Sequence, residues 1–291
     1  MVVKSEVLLK WLRTLRYLAE GYPVEPELRG WSWQSPPVRP RSYLGLAVQD
    51  VASYCPTRRD TWLRRVVGVR AQPTPPMRVG LEVHGVVTSV TAVLRRYLFS
   101  NYSPAVLSRE VEKAVESHTK NCPTRECAQV VRGVGWLTYH TLVSDWLWSS
   151  YGVMPVPAMA LFSELRVDGS PIGLSNNMRV DAIPMANVVV DLKTGKRSDV
   201  HELALAAYAL ALEASLEAPV DYGLLVYVWW NGALQVETRG VYIGPDLRKS
   251  FLDARDEVID MLLTKREPQV AVDCPQTCPY LEVCRVENPS S

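Results

Sequence analysis

Two carboxylates and one lysine near the middle of the chain are the residues whose types and spacing promise chemistry. They lie in Arg179-Val180-Asp181-Ala182-Ile183 and in Asn187-Val188-Val189-Val190-Asp191-Leu192-Lys193-Thr194-Gly195-Lys196. Side chains two apart on a strand share a face, so Asp191 and Lys193 stand beside each other. Asp181 ends a preceding strand-like segment, and a hairpin brings it next to Asp191. Two carboxylates placed together repel unless a cation sits between them, and hard divalent ions such as Mg²⁺ or Mn²⁺ take oxygen ligands. Alone, Asp191-x-Lys193 reads as an exposed strand end carrying a salt bridge. The second carboxylate moves the reading toward metal chemistry. Glu164, in the strand-like segment before Asp181, either reaches the same metal or is a surface carboxylate. Gly195-Lys196 does not end a phosphate-binding loop, because Val190 stands where its first glycine belongs and Arg197 where Ser or Thr would follow.

Cysteines supply a second pattern. Cys274-Pro275-Gln276-Thr277-Cys278-Pro279-Tyr280-Leu281-Glu282-Val283-Cys284 places three thiols close together. A structural ion or cluster normally takes four ligands. Cys55, in Tyr54-Cys55-Pro56, shares the Cys-Pro style and is the candidate fourth, a staple between the early helices and the C-terminus. Thiolate number alone does not choose between zinc and iron-sulfur. Cys122 and Cys127 form a disulfide, half of a zinc site, or a pair of bystanders.

The elements that must position these residues follow from periodicity and breakers. Residues 1–20 read as an amphipathic helix and 21–43 as a linker rich in Pro and Trp. Helical patterning covers 48–67, 79–98, 103–119 and 128–149, with Pro73 to Pro76 as a break. Strands are expected at 158–167, 187–192, 223–230 and 233–243, the last two joined by the hairpin signal Asn231-Gly232. Helices are expected at 198–217 and 246–265. The fold class is therefore α/β or α+β, a sheet core wrapped by helices.

Composition bounds the rest. The chain has 291 residues, 47% hydrophobic, with 32 Lys+Arg against 31 Asp+Glu, enough for a large core and without a net charge that announces a partner. No membrane partner is expected, since no run of eighteen apolar residues is uninterrupted, and an intracellular location is expected with reduced thiols, a hot cytosol excepted. Arginine outnumbers lysine 24 to 8. Arg58, Arg59, Arg64 and Arg65 belong to an early cluster that reads either as a phosphate-binding face or as codon bias.

With the elements assigned, Asp181 followed by Asp191-Leu192-Lys193-Thr194-Gly195 resembles the PD-(D/E)xK nuclease superfamily, in the branch with RecB-type domains. That branch carries a histidine on an earlier helix, matched by Gly80-Leu81-Glu82-Val83-His84. Its later Gln-x-x-x-Tyr is matched at Tyr208, whereas Ala204 occupies the Gln position. His201, on the same helix face as Tyr208, either compensates for that Gln or is a packed core histidine. Joined to Cys55 and the tail cysteines, the pattern resembles the Cas4 family of CRISPR-associated nucleases. The stretch from His84 to Asp181 is longer than a compact member needs, which is similar to the larger Csa1 (Cas4a) branch.

The resemblance implies one elaborated nuclease domain over 1–291. Its parts are an N-terminal extension (1–42), a helical part with the first cysteine and the His motif (43–98), a helical insertion (99–157), a RecB-like core of mixed sheet flanked by helices (158–265), and a cysteine segment (266–291). It implies Mn²⁺ or Mg²⁺ held by His84, Asp181, Asp191 and the Leu192 backbone carbonyl, with Lys193 and Tyr208 catalytic. Cys55, Cys274, Cys278 and Cys284 would hold a 4Fe-4S cluster, and Arg58, Arg59, Arg64 and Arg65 would contact DNA. The implied activity is a deoxyribonuclease, chiefly an exonuclease with endonuclease action open, on single-stranded DNA or DNA ends. By family it processes prespacers beside the Cas1 and Cas2 proteins, in the cytoplasm. The alternative is a weak or inactive DNA-binding scaffold with a structural cluster of iron-sulfur or zinc.

Overall fold

The computed structural model describes residues 2–98, 103–150, 163–185 and 187–286. A five-stranded mixed sheet runs β1 (Ser163–Val167), β2 (Met178–Met185), β3 (Val188–Thr194), β4 (Tyr222–Trp230), β5 (Leu234–Tyr242), in that spatial order. All neighbours are antiparallel except β3 and β4, which are parallel and joined by α7 (Val200–Leu216). A parallel pair needs such a crossover, whereas β4 and β5 need only the expected Asn231-Gly232 turn.

Both faces of the sheet are covered. Val189, Leu225 and Tyr227 pack in one core with α7 and α8 (Pro245–Thr264). Val188, Val190, Leu224 and Val226 pack in a second core with α4 (Pro75–Leu98) and α6 (Arg125–Ser150), to which α1 (Ser5–Gly21) and α5 (Pro104–Lys120) add. Burial on both faces is why Val188-Val189-Val190 is an unbroken apolar run. α4 is long and apolar enough to cross a membrane by length and composition. Here its apolar face, with Val83, Val86, Val90 and Leu94 fully buried, lies inside the second core.

Several expectations are corrected. The helix expected over 48–67 is broken into α2 (Val48–Val51), a loop through Cys55 and Pro56, α3 (Arg59–Trp62) and a π-helical turn. Pro56 interrupts it, and Arg58 takes a left-handed φ of 56°. Pro75 and Pro76, expected as part of a break, instead open α4, where the missing N–H costs nothing. β2 continues past Asp181, which is mid-strand and not a strand end. The Pro/Trp segment is no loose linker. It forms two 3₁₀ turns, Pro26–Leu28 and Gly30–Ser32, pressed so closely on α7 that a Cβ at Gly30 would lie 2.0 Å from the Leu210 carbonyl oxygen. Residues 158–162 of the first expected strand, and 99–102 and 151–157 of the expected insertion, lie outside the described residues, as does the end of the tail from 287.

Candidate active site and cysteine site

The β2–β3 ladder pairs Met185 with Val188 and Ala182 with Val190, and among the described residues it stops there. Beyond it the Leu192 amide donates to Asp181 Oδ2 at 2.7 Å, so a side chain takes the place of a backbone acceptor. Leu192's carbonyl lies on the same side of the strand as that amide. Through this opening, groups from the two faces of the sheet approach each other.

From the α4 face comes His84, whose Nδ1 lies 3.1 Å from Asp181 Oδ1 and 3.8 Å from Glu164 Oε1. Donor atoms of His84, Glu164 and Asp181 all lie within 4.8 Å of one another. A cavity of ≈ 20 Å³, room for one water-sized body, is lined by these three with Val190 and Leu192. Two carboxylates and an imidazole around such a chamber fit a hard divalent ion. Glu164 reaches it in a left-handed conformation, φ 55°, a strained geometry for a non-glycine residue. The sequence offered Glu164 only as one of two alternatives.

Asp191 and Lys193 occupy the α7 face of β3. Their side chains pair at 2.9 Å, with Asp191 only 2% exposed. Asp191 pairs with Lys193, and the compact donor group consists of His84, Glu164 and Asp181, so Glu164 joins the residues the sequence had singled out. Electrostatics tie the groups together. Burial opposes charging His84, but the neighbouring Asp181, with Glu164 and Asp191 behind it, raises it to about 10. Burial pushes Asp191 up to about 6, with Lys193 pulling down and Asp181 pushing up. Asp181, despite its burial, is held below the usual carboxylate range by His84 and the Leu192 amide. Tyr208 on α7 is held neutral by burial and by Asp191, Asp181 and Glu164.

A cleft of ≈ 450 Å³ adjoins this centre on the α7 side, lined by Lys193, Tyr208, Ala204, His201, Arg179 and Tyr54 among others. Ala204, at the missing Gln, leaves part of this space open. His201 is buried and bonded on both nitrogens, Nε2 to the Tyr54 hydroxyl and Nδ1 to the Tyr227 hydroxyl at 2.9 Å. Tyr54 and Tyr227 were missed as site residues. Tyr54 had been visible only as a letter in Tyr54-Cys55-Pro56, and Tyr227 as one apolar position in a strand.

Cys55, Cys274, Cys278 and Cys284 are free thiols. The Cys55 segment packs on the C-terminal segment: Leu63, Tyr280 and Cys284 form a small core with Cys278 and Val270 at its edge. Burial raises the Cys278 thiol, and nearby Cys274 and Cys55 raise it further. The Cys284 thiol is raised by burial and drawn down by a hydrogen bond with Arg59. Contacts and mutual charge effects thus bring the Cys55 segment near the three tail thiols, although among the described residues the compact donor group holds His84, Glu164 and Asp181 and no cysteine. Cys122 and Cys127 are joined in a disulfide, with Cα atoms 5.5 Å apart, which selects one of the three alternatives.

The early arginines are placed differently from the expectation. Arg59 is 2% exposed, its guanidinium on Glu267 at 2.7 Å and the Pro268 carbonyl at 2.6 Å, so it cannot present a phosphate-binding fork to solvent. Arg58 pairs with Glu257, Arg64 with Asp50, and Arg65 with the Leu44 carbonyl. Glu257 on α8 and Glu267 and Pro268 just beyond it tie Arg58 and Arg59 to the C-terminal part, whereas Asp50 and Leu44 hold Arg64 and Arg65 within the early segment. Arg179, its side chain 54% exposed, lines the cleft and lies 3.6 Å from Glu164.

Residues 1–287 match the model of a family described as CRISPR-associated exonuclease Csa1. A curated relative of that name from Thermoproteus tenax is 37% identical over 263 residues, 90% of this chain and 92% of that protein. Another of the same name from Saccharolobus solfataricus is 32% identical over 283 residues, with the same shares of each chain. No solved structure gives a significant match. A match spanning nearly the whole chain, together with a histidine-carboxylate-lysine centre, means that this chain belongs to the CRISPR-associated exonuclease Csa1 family.

Proposed function

We propose that this chain is a metal-dependent DNA exonuclease with a RecB-like core, trimming single-stranded DNA or DNA ends during CRISPR adaptation, in the cytoplasm and beside the Cas1 and Cas2 proteins. The observation that carries this reading is the convergence of His84, Glu164 and Asp181 within 4.8 Å, next to the Asp191–Lys193 pair. His84, Glu164 and Asp181, with Asp191 and the Leu192 carbonyl close by, would hold Mn²⁺ or Mg²⁺. When bound there, a divalent ion would acidify a water and offset charge on the scissile phosphate. Lys193, its ammonium fixed by Asp191, orients the attacking water and stabilises the charge that grows on the phosphorus oxygens. Tyr208 remains a hydroxyl donor, suited to a phosphate oxygen. Arg179 faces the cleft and neutralises an incoming phosphate.

Cys55, Cys274, Cys278 and Cys284 would hold a 4Fe-4S cluster that staples the Cys55 loop to the tail. Ala204 at the Gln position favours the second reading, a weakly active or inactive DNA-binding scaffold. Anaerobic purification with iron, sulfide and zinc analysis, then Mn²⁺-dependent cleavage of a labelled single strand, tests both. Cleavage lost in Asp191→Ala and Lys193→Ala supports the enzyme. DNA binding that persists without any cleavage by the unaltered protein supports the scaffold. Zinc without iron would replace the cluster by a zinc staple.

A further inference from the structure

Tyr54 combines two properties that rarely coincide on a surface. It is 64% exposed, yet its hydroxyl is fixed on His201 Nε2, and His201 is itself buried and bonded to Tyr227. The Tyr54 and His201 rings meet edge to face, with centroids 5.6 Å apart and planes at 84°. The backbone behind Tyr54 is held as well, since Ser53 Oγ accepts from the Cys55 amide and bonds Asp60. Its aromatic surface is therefore presented to solvent in one orientation, with little conformational entropy left to lose on binding.

That ring borders the ≈ 450 Å³ cleft that also holds Lys193, Tyr208 and Arg179. The volume suits a ligand the size of a nucleotide. A base in a duplex is stacked between its neighbours and must be extruded to enter such a pocket, whereas a base of a single strand is already exposed to an aromatic face. Ala204 leaves room there that a glutamine would have filled.

We propose that Tyr54 is a stacking platform for one unpaired base, with Arg179 binding a phosphate of the same strand, so that the cleft selects single-stranded DNA over duplex. This rests on the nuclease reading above and names the part of the substrate it grips. Tyr54 and Arg179 are positioning residues that set where the strand lies relative to Lys193.

The test is binding in EDTA, where no cleavage interferes, of an oligothymidylate carrying 2-aminopurine at successive positions from each end. With the unaltered protein, fluorescence is quenched at one position. Tyr54→Leu abolishes the quench and weakens single-strand binding on the order of ten-fold, while blunt duplex binding stays unchanged. It also lowers the melting temperature, because His201 Nε2 loses its partner, and Tyr54→Phe, which loses the same bond, sets that baseline. Tyr54→Phe keeps the quench, because the ring remains. Arg179→Gln lowers the slope of log affinity against log salt by about 0.7, one phosphate contact on a single strand. A Tyr54→Leu protein that retains both quench and affinity, or an unchanged salt slope in Arg179→Gln, overturns the proposal. If the unaltered protein cleaves with Mn²⁺ under those results, only the platform fails. If it neither binds nor cleaves DNA, the nuclease reading falls with it.

Discussion

Asp181 Oδ2 accepts a 2.7 Å hydrogen bond from the Leu192 amide at the place where β2 and β3 cease to pair. A ladder continued through that point would have kept His84 on one side of the sheet and Lys193 on the other. Ending the ladder, and satisfying the freed amide with a carboxylate, lets both approach Asp181 from opposite faces. One side chain thus serves as a backbone cap and as a member of the donor group.

The two roles of Asp181 separate by substitution. Asp181→Ala removes the acceptor and is expected to cost about 1–3 kcal/mol of stability as well as cleavage. Asp181→Asn keeps an acceptor oxygen, so it loses cleavage with a smaller fall in melting temperature. Equal melting temperatures for the two variants would show that the amide contact does not hold the opening.

Arg248 is fully buried between α7 and α8. It grips both Glu213 oxygens at 2.7 and 2.9 Å and donates to the Ile243, Leu28 and Val220 carbonyls. Arg248→Met removes one of Glu213's two cationic partners, leaving Arg29 and the Gly30 and Val220 amides, and frees three buried carbonyls, with an expected loss of about 3 kcal/mol. Arg248→Lys cannot reproduce the planar fork and recovers less than half of it. Chemical denaturation of the three proteins checks the order.

His201 gives the protein an acid-sensitive element. Burial, aided by the charge of Lys193, holds its pKa down at about 4 in the folded state. Unfolded, the imidazole takes its proton near pH 6.5, so the unfolded state binds more protons between those values. Stability from this group is intact above pH 6.5 and falls as pH drops toward 4, by as much as about 3 kcal/mol. Melting temperatures of the unaltered protein and His201→Gln should converge as pH falls across that window. Parallel curves would refute the assignment.

Thiol counting tests the cysteine arrangement. With one disulfide among six cysteines, four thiols should titrate in guanidinium with chelator and no reductant, and six after reduction. Six titrating thiols before reduction would remove the Cys122–Cys127 bond.

Much of the sheet was legible in the chain. Val188-Val189-Val190, Asn231-Gly232 and the Ala/Leu run of α7 each carry a local signal, because periodicity and turn chemistry act over a few residues. The break in the helix expected over 48–67 was less legible, since Pro56 competes with an apolar period that continues on both sides. The fate of the arginines was not legible at all. Arg58, Arg59, Arg64 and Arg65 look alike in sequence, and only the structure separates Arg59, buried on Glu267 and the Pro268 carbonyl, from Arg58, Arg64 and Arg65, which keep part of their side chains in solvent.

By itself the sequence determined which residue types are available: an Asp181, an Asp191-x-Lys193 on a buried strand, a His84 on a helix, and four cysteines in two distant segments. These are properties of local pattern and composition. Tertiary structure decided that Glu164 joins His84 and Asp181 while Asp191 pairs with Lys193, and that Tyr54 rests on His201 at the mouth of a cleft. Those choices depend on where a strand ladder ends, on a left-handed residue in β1 and on a loop broken by proline. Each brings together groups far apart in the chain, and no local periodicity records such distances.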